Sequence, residues 1–139
     1  MAFEIKLTLV ALGLFFLTAL LTGVWKYRHM LTSPTHLAPQ YVDVAHKAAL
    51  NYSFAILIVM KFEEVSGLGT SLNLLCASLI IGFFAIATAT YVRLGIANKT
   101  DNQFKVRNFS TTIGTWMLIA AEFGGFLVLF GGFLHSTFA

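Results

Sequence analysis

The sequence is short of most things a water-soluble domain needs. Of its 139 residues, nine are Lys or Arg and six are Asp or Glu, so charged side chains make up 11%. Soluble globular chains carry about 25%. There is a single cysteine, Cys76, inside an apolar run. That excludes a disulfide framework and any thiolate zinc or iron–sulfur site, each of which needs several sulfurs. Two prolines and 11 glycines are too few for a collagen-like or proline-rich chain, and the scarcity of polar residues excludes a disordered tail. No internal repeat is evident.

What is present is apolar: 58% of the residues are hydrophobic, and the mean hydropathy is +0.80. At roughly 20 residues per spanning helix, four spans take about 80 positions, and the remainder suffices only for termini and connections. The expectation is an all-α, polytopic membrane protein. It forms a single four-helix transmembrane domain over 1–139, with helices at about 7–25, 44–62, 72–94 and 112–135.

The first run is followed, not preceded, by its basic cluster of Lys26, Arg28 and His29. A signal peptide has the reverse order, so the run reads as a retained helix. Pro34 and Pro39 break the periodicity before the second helix, which starts with Asp43 as its cap or with Pro39 a turn earlier. Glu63, Glu64, Gly67 and Gly69 end it. The third run is rich in small residues from Ala77 to Ala89, and the fourth carries Gly124, Gly125, Gly131 and Gly132, all suited to close helix approach. Trp25, Tyr27, Tyr41, Trp116 and Phe138 fit an interfacial aromatic belt.

Lys26, Arg28, Lys47, Arg93, Lys99, Lys105 and Arg107 fall at the end of the first and third connections, with only Lys6 and Lys61 at the other. The net charge of +3 therefore sets orientation, with those connections predicted cytoplasmic, and does not imply a nucleic-acid partner. The partner expected from composition is membrane lipid, and the expected location is the bacterial inner membrane.

A buried ionisable group in a bilayer is costly unless paired, hydrated or coordinating. His46, Lys47, Asn51, Tyr91 and Glu122 therefore require explanation. His46 opens the second helix and Tyr91 lies near the end of the third, on the same membrane face, where they can share a pocket. Ala49, Leu50 and Ser53 continue the His46 stripe at helical spacing and offer a surface for a flat apolar cofactor. The alternative is an interfacial histidine bonded to headgroups or to Asp43. Glu122 reads as a mid-membrane acid that is paired across a contact, protonated or part of a proton path.

The run Tyr41-Val42-Asp43-Val44-Ala45-His46, with Tyr91 following 45 positions later and Asn102-Gln103-Phe104 before the last helix, resembles the small four-helix membrane isomerases typified by styrene-oxide isomerase. Hydroxylaminobenzene mutases are similar in architecture. The resemblance is spread over most of the chain, but each motif is short. It implies a homotrimer holding haem b between neighbouring protomers, with His46 as axial metal ligand and Tyr91 as catalytic tyrosine. The implied reaction is opening of a small apolar substrate, an aryl epoxide, to an aldehyde, with ferric iron as Lewis acid. Asp43 can accept the second imidazole proton, although capping is its other role. The family carries an asparagine six positions after its histidine. Here that position is Tyr52, and Asn51 lies one place early, about 100° around the helix.

Two other classes compete. A b-type electron-transfer cytochrome needs a second strong ligand. His135 emerges about 30 Å away on the other face, so only His29 or His36, folding back, can supply it. A haem-free accessory subunit of a larger membrane complex suits the low charge and small-residue helices equally.

Overall fold

A computed structural model describes residues 1–139 as four antiparallel helices in up-down order. These are α1 (Phe3–Thr32), α2 (Gln40–Val65), α3 (Thr70–Ala97) and α4 (Thr115–Phe138). There is no strand, and all four helices are long and apolar enough to cross a membrane.

Each helix outruns its apolar segment. α1 has 30 residues, about 45 Å at 1.5 Å per residue, against a hydrocarbon core of about 30 Å. Apolarity marks only the part that lipid surrounds, whereas the backbone ladder continues until something breaks it. For α1 that break is Ser33-Pro34, where the Ser33 N–H bonds to the His29 carbonyl at 2.9 Å. Pro39, not Asp43, precedes α2 as its N-cap, and no side chain caps that helix. Proline suits the position because it has no N–H to leave unpaired.

The fourth helix departs from a plain α start. Ser110–Gly114 form a π turn, with the Gly114 N–H bonded to the Phe109 carbonyl at 2.9 Å. Asn108 holds the turn from below: its Oδ1 accepts the Thr111 N–H at 3.0 Å, and its carbonyl accepts the Thr112 hydroxyl at 2.6 Å.

The core lies where α2 and α3 meet α1 and α4. It contains Phe15, Ile56, Val59, Cys76, Ala77, Ile80, Phe84 and Leu129. Phe62 is ringed edge-on by Phe126, Phe130 and Phe133 at 5.2–5.7 Å, a favoured aromatic geometry. α1 and α2 pair most extensively, with Ala19, Ala45 and Ala49 buried. Lipid tails supply no hydrophobic drive between helices, so small residues that let backbones approach decide such pairings.

The four glycines of the last helix divide. A Cβ on Gly125 would lie 2.9 Å from Ile80 and 3.0 Å from the Cys76 carbonyl, and one on Gly132 would lie 2.8 Å from the Ser66 carbonyl. Gly124 and Gly131 meet nothing. The latter pair therefore makes no close helix contact within the protomer, because it lies on the outward face. Gly67, at φ +68°, makes the α2–α3 turn in a conformation that favours glycine.

Candidate functional site

His46 is half-buried on the second turn of α2 and leans onto α1. Its Nδ1 donates to the Ala19 carbonyl at 2.9 Å. The ring lies against Gly23, where a Cβ would stand 3.0 Å from Cε1 and 3.3 Å from Nδ1 but 3.9 Å from Nε2. Nε2 is thus the ring nitrogen turned away from α1, and it is neither hydrogen-bonded nor sealed from the surface. A carbonyl that fixes the proton on Nδ1 leaves Nε2 with its lone pair, which is the usual support of a metal-bound histidine. This donor chemistry suits the axial position of an iron porphyrin. Gly23 and the Ala19 carbonyl were not singled out by sequence. The available signal was Gly23 itself, a glycine in an apolar helix near the depth of a polar residue on the next helix.

Asp43 neither accepts from the imidazole nor caps α2. Its carboxylate is bracketed by Lys26 at 2.6 Å and Lys47 at 2.7 Å. Two ammonium groups within reach outcompete a neutral ring and a helix terminus for the same oxygens. The pair with Lys26 ties α1 to α2 beside the histidine.

Tyr91 belongs to a second cluster. It stacks on Tyr41, with ring centroids 6.2 Å apart and planes 23° apart. The Tyr41 hydroxyl accepts the Gln103 N–H at 2.6 Å. Tyr41-Val42-Asp43, Tyr91 and Asn102-Gln103-Phe104 therefore meet at one end of the bundle. The Asn102 carboxamide shapes the last of these by accepting the Phe104 N–H at 2.9 Å. Tyr41 is buried, so it is not part of an exposed aromatic belt. Trp25 is also turned inward, reaching the position that a Cβ on Gly95 would take. Tyr27, Trp116 and Phe138 are exposed as a belt requires.

Tyr91 and Gln103 line a mostly apolar cavity of about 280 Å³ between α3 and the π turn, with Phe83, Phe109, Thr115 and Met117 among its walls. π turns recur at functional sites because they shift side chains out of helical register. The volume approaches the lower end of small-molecule pockets. His46 is not in the lining. His46 stands against α1, whereas Tyr91 lines this cavity and stacks on Tyr41 of α2.

Tyr52 points inward. Its ring stacks on Phe84 at 4.0 Å and meets Phe15 edge-on at 6.3 Å, and its hydroxyl neighbours those of Tyr91 and the carboxyl of Glu122. Asn51 is exposed on the outer face of α2. Ala49 and Ser53 are buried within the protomer, the Ser53 hydroxyl bonding back to the Leu50 carbonyl at 2.6 Å, and Leu50 is half-buried. That stripe packs inward because its small side chains serve close helix contact. Glu122 is half-buried, with one carboxyl oxygen sealed and unpaired. Comparison with family models, curated proteins and solved structures returns no match, so the functional reading rests on these residues and their geometry.

Proposed function

We propose that this chain is a haem b-binding membrane isomerase-like protein that opens a small apolar epoxide to an aldehyde. One observation carries the reading: an imidazole whose Nδ1 is fixed by a main-chain carbonyl and whose Nε2 is left free at the outer side of a helix pair. His46 would ligate the haem iron, with the Ala19 carbonyl and Gly23 holding its ring. When bound, ferric haem with one protein ligand supplies a vacant Lewis-acid position for an ether oxygen.

The chain's own residues provide the rest. The cavity beside Tyr91 takes the apolar body of the substrate and keeps water from the opening ring. The Tyr91 phenol, steadied by stacking on Tyr41, orients the substrate and donates to the oxygen that gains charge as the C–O bond breaks. The reaction is internal to the substrate: hydride moves to the adjacent carbon, and no net electrons are consumed. An Nε2 turned to the outer side of the helix pair suits a cofactor shared between copies of the chain. This favours a cyclic homotrimer with haem in each seam. The seven-to-two distribution of Lys and Arg supports a cytoplasmic His46 end, and the membrane in this reading is a bacterial inner membrane.

The test is the absorption spectrum of the protein purified from a haem-sufficient host. A ferric five-coordinate or water-ligated haem that disappears in a folded His46→Ala variant is expected. A low-spin spectrum with two protein ligands would instead make this an electron-transfer cytochrome. Absence of a Soret band would leave a haem-free accessory subunit.

A further inference from the structure

At the end of the bundle away from His46, the start of α1, the end of α2 and the start of α3 enclose two acids. Glu4 is 5% exposed and Glu63 is 4% exposed. Both line a cavity of about 370 Å³ together with Ile5, Leu68 and Asn73. Glu4 Oε1 accepts the Thr70 hydroxyl at 3.2 Å. Glu4 Oε2 and both carboxylate oxygens of Glu63 are sealed from solvent and have no hydrogen-bond partner. Thr8, one turn on from Glu4 in α1, is also buried.

No Lys, Arg or His side chain pairs with these acids, and the amino-terminal Met1, which also lines the cavity, forms no ion pair with either. The ion pairs of the chain use Asp43, Glu64 and Asp101, and the local lysine, Lys61, goes to Glu64 at 3.0 Å. Asn73 is committed elsewhere: its Nδ2 donates to the Glu63 carbonyl at 3.0 Å, and its Oδ1 accepts the Ser66 hydroxyl at 2.9 Å. Buried carboxylate oxygens without donors are costly, and two such groups side by side also repel. One shared proton serves fewer acceptors than are orphaned here.

We propose that Glu4 and Glu63 form a calcium site that ties the start of α1 to the end of α2. The two carboxylates balance a divalent charge. Four carboxylate oxygens, the Thr70 hydroxyl and water from the cavity reach the six to eight oxygens that Ca²⁺ accepts in irregular geometry. Mg²⁺ requires a near-ideal octahedron, which ligands from three helix ends do not offer. Glu64 stands at the rim, held by Lys61, and adds to the negative field that draws a cation in.

Calorimetric titration of CaCl₂ into the chelator-stripped full chain in detergent, at constant ionic strength, tests the site. Saturable binding of one Ca²⁺ per chain is expected, with a rise in Tm. Binding should weaken by about tenfold or more in Glu63→Gln and Glu4→Gln, and Mg²⁺ and Na⁺ should compete poorly. Should Glu63→Gln not fold, Glu63→Asp keeps the charge on a shorter arm and must weaken Ca²⁺ without removing it. Binding unchanged in these variants, or no saturable heat in the wild type, overturns the site. So does a Tm indifferent to Ca²⁺ that rises on acidification only when Glu63 is present, because that result assigns a shared proton instead. The His46 spectrum is measured separately, so either result stands without the other.

Discussion

The two ends of the bundle handle polar groups in opposite ways. At the His46 end several polar groups have found partners within the chain: Nδ1 of His46 on a carbonyl, Asp43 between two lysines, the Tyr41 hydroxyl on Gln103. At the terminal end, Glu4 and Glu63 are buried with three oxygens unanswered. The cationic end pairs its charges within the chain, while the acidic end leaves carboxylate oxygens without a protein partner. Basic residues at the first end allow this difference, since an ammonium on a flexible stem reaches a carboxylate from several helix positions. The second end carries only Lys6 and Lys61, and both stand outside the acid pair.

The comparison can be broken most forcefully at Tyr91. Tyr91→Phe should keep haem and lower turnover of an aryl epoxide by about a hundredfold, in the range for loss of one donor to a developing oxyanion. Unchanged turnover with bound haem removes the phenol from the mechanism.

Backbone packing tests the independence of the two ends. Gly95→Ala drives a Cβ to 2.8 Å from Trp25 and 3.2 Å from the main chain at Tyr41 and Val42, and Gly132→Ala drives one to 2.8 Å from the Ser66 carbonyl. Each should cost about 1–3 kcal/mol, the usual range for overpacking, read as a lowered Tm. Gly124→Ala, which meets nothing, is the control. Gly95→Ala should also disturb haem retention, whereas Gly132→Ala should disturb Ca²⁺ binding. Equal effects of both variants on both ligands would mean that the bundle responds as one body.

A smaller effect is expected at Gly23. Gly23→Ala puts a methyl 3.0 Å from His46 Cε1 and must rotate the ring off the Ala19 carbonyl. Haem retention should fall by about tenfold, the lower range for loss of a ligand's supporting hydrogen bond. Full retention would show that the carbonyl does not set the ligand. Asp43→Asn should cost about 0.5–1 kcal/mol, because its ion pairs are partly exposed and screened. A salt-independent loss would contradict that account. The smallest effect belongs to Asp101, whose carboxyl Lys105 holds below the ordinary carboxylate range by a hydrogen bond. A lowered acid stabilises the fold above its ordinary pKa and loses that contribution as pH falls through the lowered value. The third connection should therefore loosen only in strong acid, detectable as faster amide exchange there.

Much of the fold was legible from lack of charge and run length. Four spans and the shared end of the first and third connections follow from where the fifteen charged residues fall. Helix ends were less legible, because ladders outrun apolar segments. The site was legible in part. His46, Tyr91 and Asn102-Gln103-Phe104 stood out as polar exceptions or short motifs, whereas Ala19 and Gly23 look like any small residues of a spanning helix. Glu63 read only as part of the polar end of the second helix, and Glu4 was not singled out, since a charge at the end of an apolar run has water as its default neighbour.

By itself the sequence determined the class of the molecule and its up-down order, because a bilayer leaves an apolar chain few ways to satisfy its backbone. Only the tertiary structure decided which nitrogen of His46 is free, which glycines touch a neighbour, and that two acids 59 positions apart are enclosed together. Those outcomes depend on the rotation of each helix about its axis, which packing among neighbours sets and hydropathy along one chain does not encode.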